Sequence, residues 1–187
     1  MIGLPIDVIE VGDTAEIARH ATDADIARFV DAVGDYNPVH SDPAYAAGTV
    51  FKEPIAPGIW TAGLISAVIG TRLPGPGAIY LSQDLKFLRP VKLGDIISAR
   101  VTVLEINRAK NRLRLRTVCT NRRGEDVLTG EALVMPSKTR VVYETPKPAA
   151  APDVFWSFTP WGWANKIATM WMTMALATLP LPTTDQA

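Results

Sequence analysis

Residues 58–72 read Gly-Ile-Trp-Thr-Ala-Gly-Leu-Ile-Ser-Ala-Val-Ile-Gly-Thr-Arg, with no charged side chain before Arg72. A helix built from this run is apolar on nearly every side and has to be wrapped by other structure. The wrapping follows at once. Three or four alternating segments, at 78–88, 95–106, 112–121 and 126–135, are separated by the turn signals Pro90-Val91-Lys92-Leu93-Gly94, Ala109-Lys110-Asn111 and Arg122-Arg123-Gly124. Consecutive strands with short connections pair antiparallel. One apolar helix followed by such strands predicts an α+β architecture, a curved antiparallel sheet around a central helix.

Upstream, a strand-like stretch near Ile17 leads to Asp23 as N-cap, then to Ile26, Phe29, Val30 and Val33 at helical spacing, ending at Gly34. Next comes Asp35-Tyr36-Asn37-Pro38-Val39-His40-Ser41-Asp42-Pro43. Pro38 removes a backbone donor and disfavours the α conformation at Asn37, so Asp35 and His40 belong to an irregular loop, where chemistry is commonly carried. A short helical turn is expected at 43–47, with Asp42 as its cap.

With 187 residues, 48% of them hydrophobic, the chain has enough for one packed domain and an appendage. Nineteen basic and nineteen acidic side chains cancel, so the balance points neither to nucleic acid nor to an anionic membrane surface. Cys119, alone of its kind, sits in an alternating run and reads as a buried strand residue. Asp7 and Glu10 fall where a signal peptide would be basic and then apolar, so the expectation is a cytoplasmic protein. The domain is expected at 1–144 and a Pro/Ala-rich linker at 145–153. A Trp- and Met-rich apolar C-terminal tail follows at 154–187, with four of the five tryptophans. Its run at 167–181 falls short of the ~20 apolar residues of a bilayer span. It is expected to cover apolar surface of its own chain or dimer mate, or to dock to an external hydrophobic surface or partner protein.

An aspartate and a neutral imidazole converging on one water can hold it, take its proton and pass a proton to a nearby carbon. Asn37 can orient the carboxylate or the loop and is a candidate substrate-binding residue. Pro57-Gly58 opens the apolar helix, where free N–H groups and the positive dipole end can stabilise an oxyanion, and glycine lets a carbonyl approach the backbone. Ser66 lies about two turns on and can contact a ligand or hydrogen-bond the catalytic loop. Trp60, just inside the helix, can shorten a substrate pocket.

These elements, with Pro54-Ile55-Ala56-Pro57-Gly58, Ile79-Tyr80-Leu81, Lys86-Phe87-Leu88-Arg89-Pro90-Val91 and Gly94-Asp95, resemble the MaoC-like, R-specific enoyl-CoA hydratases over residues 8 to 138, in the family's order. The resemblance implies a hot-dog fold, a homodimer, and reversible syn hydration of a trans-2-enoyl-CoA to an R-3-hydroxyacyl-CoA. Carried over, Asp35 and His40 match the pair that activates water, Gly58 the residue whose backbone N–H polarises the thioester carbonyl, and Ser66 the active-site serine. No metal or redox cofactor is implied, the acyl-CoA being the substrate. Pro57 stands where the family commonly has histidine, which removes a side-chain contact but not the following N–H.

Two other readings compete. A thioesterase of the same fold more often carries its acid on the central helix, and here that helix has no Asp or Glu between Gly58 and Gly70. A non-catalytic acyl-CoA-binding or scaffold subunit would be indifferent to Asp35 and His40. Arg108, Lys110, Arg112, Arg114 and Arg116 read as a solvated strand face rather than a CoA-phosphate surface.

Overall fold

The computed structural model describes residues 1–144, and the expected linker and C-terminal segment lie outside the described residues. Two short strands, β1 (Ile2–Gly3) and β8 (Val141–Val142), pair antiparallel and tie the two ends of this region together. β2 (Thr14–His20) leads into helix α1 (Asp23–Val33). The cap is Thr22 rather than the expected Asp23: its side chain accepts from Asp25 N, which leaves Asp23 in the first turn where its charge meets the dipole. Gly34 ends the helix at φ 73, a left-handed conformation glycine adopts without a Cβ penalty.

Helix α2 (Pro43–Ala47) is capped by Asp42, as expected, through Ala44 N and Tyr45 N. Helix α3 (Gly58–Thr71) is the apolar run that decides the architecture. It buries Trp60, Leu64, Ile65, Val68 and Ile69 in one core with Ile26 and Val30 of α1. Each such side chain stabilises the fold by roughly 1.5–3 kcal/mol.

The sheet wraps α3. β3 (Ile79–Gln83), β4 (Lys86–Phe87), β5 (Ile96–Asn107), β6 (Arg112–Thr120) and β7 (Asp126–Met135) join β2 in the antiparallel order β2-β5-β6-β7-β3, with β4 also paired to β7. Period-two alternation sorts the faces. Leu113, Leu115, Thr117 and Cys119 are fully buried on β6, whereas Arg114 and Arg116 between them are exposed. Arg114 pairs with Glu105 and Glu131 on that outer face, and Arg100 with Glu16, so the basic face is solvated and laced with carboxylates. This is the hot-dog fold.

The expected single strand at 78–88 is two strands. The register shifts at Leu81, and at Asp84 the chain presses its carbonyl onto Gly130 of β7, where a Cβ would collide with backbone. Gln83 anchors the crossing from inside: its amide donates to Thr117 Oγ1 at 2.9 Å and accepts from the Tyr80 hydroxyl. Because the obstacle is a main-chain carbonyl, Gly130→Ala is expected to destabilise the protein by about 2–4 kcal/mol. Urea unfolding of the variant checks this.

Cys119 is fully buried, its thiol 3.7 Å from the Thr61 carbonyl oxygen, and burial pushes it up to about 12. The folded state therefore resists thiolate formation that the unfolded chain allows near the ordinary thiol value. This contribution to stability is complete below that value and is lost as pH rises towards 12. At pH 8 a disulfide reagent is expected to label Cys119 only as fast as the protein opens, and at once in denaturant; rapid labelling of the native protein would contradict the burial.

Candidate active site

The loop after α1 begins with Asp35, whose N–H, like that of Gly34, still donates to Val30 O. Asn37 is extended, as the residue before proline must be, and its side-chain oxygen accepts from Val39 N at 3.3 Å. Residues Pro38–His40 make one 3₁₀ turn, closed by His40 N donating to Asn37 O at 3.0 Å. Asn37 thus caps and orients the loop. Asp35 and His40 end on the same side of the turn, with His40 Nε2 3.6 Å from Asp35 Oδ2.

What holds the imidazole is a backbone group for which the residue-type pattern gave no role. Ile55 donates its N–H to Val39 O at 3.2 Å, and its carbonyl lies 2.7 Å from His40 Nδ1. A carbonyl only accepts, so Nδ1 carries the proton and Nε2 of the neutral ring is left as a lone-pair acceptor. The side chain is 10% exposed, so its rotation is confined, while Asp35 is 44% exposed and reachable by water. At 3.6 Å the two acceptors are too far apart for a hydrogen bond and close enough to share one water that donates to both.

Ile55 also carries the loop to the helix end. Ala56 N donates to Val91 O at 2.8 Å, and Pro57, extended, precedes the first turn of α3. Trp60 N is satisfied by Pro57 O, and among the described residues no acceptor meets the Gly58 or Ile59 N–H. Two oriented donors at a positive helix end therefore stand three and four residues from the carbonyl that fixes His40.

Two cavities flank this strand of chain. One, of about 410 Å³, has His40 on its wall with Tyr36, Ser41, Pro54, Val30 and Leu93. The other, of about 320 Å³, reaches Gly58 and is walled by Phe51, Phe87, Leu88, Arg89 and Val91. Ser66 lines neither; it is exposed on α3 in one stripe with Ile59, Gly63 and Gly70. Trp60 is 7% exposed, packs in the core and also lines neither. Among the described residues no cluster of three or more His, Cys, Asp or Glu is placed to hold a metal ion, and no helix is long and apolar enough to cross a membrane.

Residues 9–123 match the MaoC like domain. The chain is 48% identical over 127 residues to the 3-hydroxybutyryl-CoA dehydratase of Methylorubrum extorquens, covering 67% of this chain and 80% of that protein. It is also 48% identical over 127 residues to the (R)-specific enoyl-CoA hydratase of Rhodospirillum rubrum, covering 68% and 88%. Among solved structures, the unliganded R-hydratase PhaJ1 of Pseudomonas aeruginosa superposes with a TM-score of 0.74 at 44% identity, over 81% of this chain and 97% of that one. The matched span begins just before β2, takes in the Asp35–His40 loop and α3, and runs through β6. The chain belongs to the MaoC-like domain family.

Proposed function

We propose that this protein hydrates trans-2-enoyl-CoA reversibly to R-3-hydroxyacyl-CoA, as an R-specific enoyl-CoA hydratase. The single observation that carries the mechanism is the pair of acceptors, Asp35 Oδ2 and the Nε2 lone pair of His40, set 3.6 Å apart and tied through the Ile55 carbonyl to the segment that opens α3 with unpaired donors. The thioester oxygen lies against Gly58 N–H, which draws electron density from C3 through the conjugated system. Water held between Asp35 and His40 gives up a proton to the pair as its oxygen bonds to C3. The negative charge that reaches the thioester oxygen is met by Gly58 N–H and the α3 dipole. The pair then delivers a proton to C2, so that H and OH add from one face. The reaction consumes one water and leaves the site as it began.

The acyl-CoA is the substrate, and no step calls for a cofactor. A homodimer is supported by the edge strand β3, whose Ile79 and Leu81 are exposed, and by the exposed Ile59-Gly63-Ser66-Gly70 stripe, which lets a second helix approach closely. Ser66 lies on that exposed stripe, so a ligand contact at Ser66 would require the partner. A cytoplasmic location is in keeping with a CoA thioester as substrate. Loss of the conjugated-thioester absorbance on adding crotonyl-CoA tests the reading; no activity across short and medium acyl chains would overturn it.

A further inference from the structure

Three polar residues are buried among the described residues, and two of them have partners. Thr117 accepts from the Gln83 amide at 2.9 Å, and the Asn121 side chain is bonded to Glu125 and to Arg123 N. Thr61 is 2% exposed, and among the described residues no hydrogen-bond partner meets its hydroxyl. Its oxygen is not sealed, because every fully enclosed side-chain nitrogen or oxygen of the described residues has a partner. The opening left to it is the groove that Thr61 lines together with Gly58.

The ordinary outlet of such a hydroxyl is unused. A helical threonine commonly donates to a carbonyl three or four residues back, as Thr71 does to Ala67 O at 2.6 Å on the same helix. Thr61 is also the one polar side chain among the six residues that α3 buries, in a run where valine would serve the core as well. A helical side chain leans towards the helix N-terminus, so that of Thr61 lies over the turn that begins at Pro57 and Gly58. The main chain beneath it is pinned from the sheet, with Cys119 Sγ 3.7 Å from Thr61 O.

We propose that the Thr61 hydroxyl is a second donor to the thioester oxygen, beside Gly58 N–H, and so a further catalytic residue. The inference rests on the hydratase reading, which puts that oxygen at the first turn of α3. A buried hydroxyl without a protein partner is satisfied when a ligand brings an acceptor, and the thioester oxygen is the acceptor that the reaction brings to this turn. Before substrate arrives, water in the groove serves the hydroxyl. Once the thioester displaces that water, the hydroxyl faces the charge that develops on the oxygen as the nucleophile adds at C3. It donates a hydrogen bond throughout and gives up no proton.

Thr61→Val and Thr61→Ser, made in the full chain, test this. Valine keeps the branched shape and deletes the hydroxyl. It is expected to lower kcat for crotonyl-CoA by about tenfold or more, while the calorimetric affinity for butyryl-CoA stays within about threefold of native. The thermal midpoint should hold or rise, because an apolar group replaces an unpartnered polar one. Serine keeps the hydroxyl and recovers most of the lost kcat. A valine variant with kcat within about threefold of native overturns the proposal. So does a valine variant that melts several degrees lower or fails to fold, since the hydroxyl would then be holding the structure. Equal losses in the valine and serine variants assign the effect to side-chain shape, which also overturns it. A native chain that does not hydrate crotonyl-CoA removes the reaction and this role with it, whereas a hydrating native chain with an indifferent valine variant removes the role alone.

Discussion

Asp35→Asn lowers kcat/KM for hydration of crotonyl-CoA by about 10³-fold with the thermal midpoint preserved, and His40→Ala does so by a similar factor with far-ultraviolet dichroism preserved and the thermal midpoint lowered by a few degrees, since it removes a nearly buried, hydrogen-bonded side chain. The amide that replaces the Asp35 carboxylate keeps its size and loses its charge. Asp35 is 44% exposed and its side chain caps no helix, so little stability rides on it. His40→Ala removes the basic atom whose lone pair is fixed by the Ile55 carbonyl at 2.7 Å. Because both acceptors hold the same water, the double variant is expected to lose little more than either single one. Full additivity would mean that the two act on separate steps. Activity within tenfold of native in both single variants would remove the pair from the mechanism and revive the scaffold reading.

The fold was legible where the sequence pattern is governed by burial. The run at 58–72 has one physical solution, and the alternation of Leu113 and Leu115 with Arg114 and Arg116 puts one face on α3 and the other in water. What stayed hidden depends on close approach between main-chain segments. The break at Asp84 arises because its carbonyl rests on Gly130, far along the chain, and nothing in the alternating pattern of 78–88 records that meeting. The α1 cap moved by one residue because Thr22 and Asp23 are both good caps, and it is the extended Thr22 whose side chain accepts from Asp25 N.

The site divides the same way. Asp35, Asn37 and His40 are residue types whose chemistry can be named from the sequence, and the structure brings the acid and the imidazole together. Ile55 acts through its backbone, so no side-chain chemistry could announce it. The one available signal was Pro54 and Pro57 around it, which force an extended segment whose carbonyl is free to accept. Phe87 was visible only as part of the Lys86-Phe87-Leu88-Arg89-Pro90-Val91 motif that carries the resemblance, with no role of its own. Its exposure, and its contact with the position of a missing Cβ, exist only in three dimensions.

The second large effect separates the Gly58 N–H from the glycine itself. Gly58→Ala keeps the donor and adds a methyl that must push the Phe87 ring from 2.8 Å, which an exposed side chain can accommodate. Gly58→Pro places the same Cβ, closes it through two further ring carbons onto the nitrogen, and deletes the donor. The first position of a helix is where proline is best tolerated, since its missing N–H has no partner inside the helix. Pro57, extended at ψ 135, already has the conformation that a following proline demands. Stability should therefore be similar in the two variants, while the reaction is not. Gly58→Ala is expected to lose about tenfold in kcat, and Gly58→Pro a further 10²-fold or more, the cost of one oxyanion donor. The loss should fall on kcat rather than on butyryl-CoA affinity, because the charge on the thioester oxygen develops only in the transition state. Equal kcat in the alanine and proline variants would show that the thioester oxygen is held elsewhere, with the neighbouring Ile59 N–H as the next donor to test.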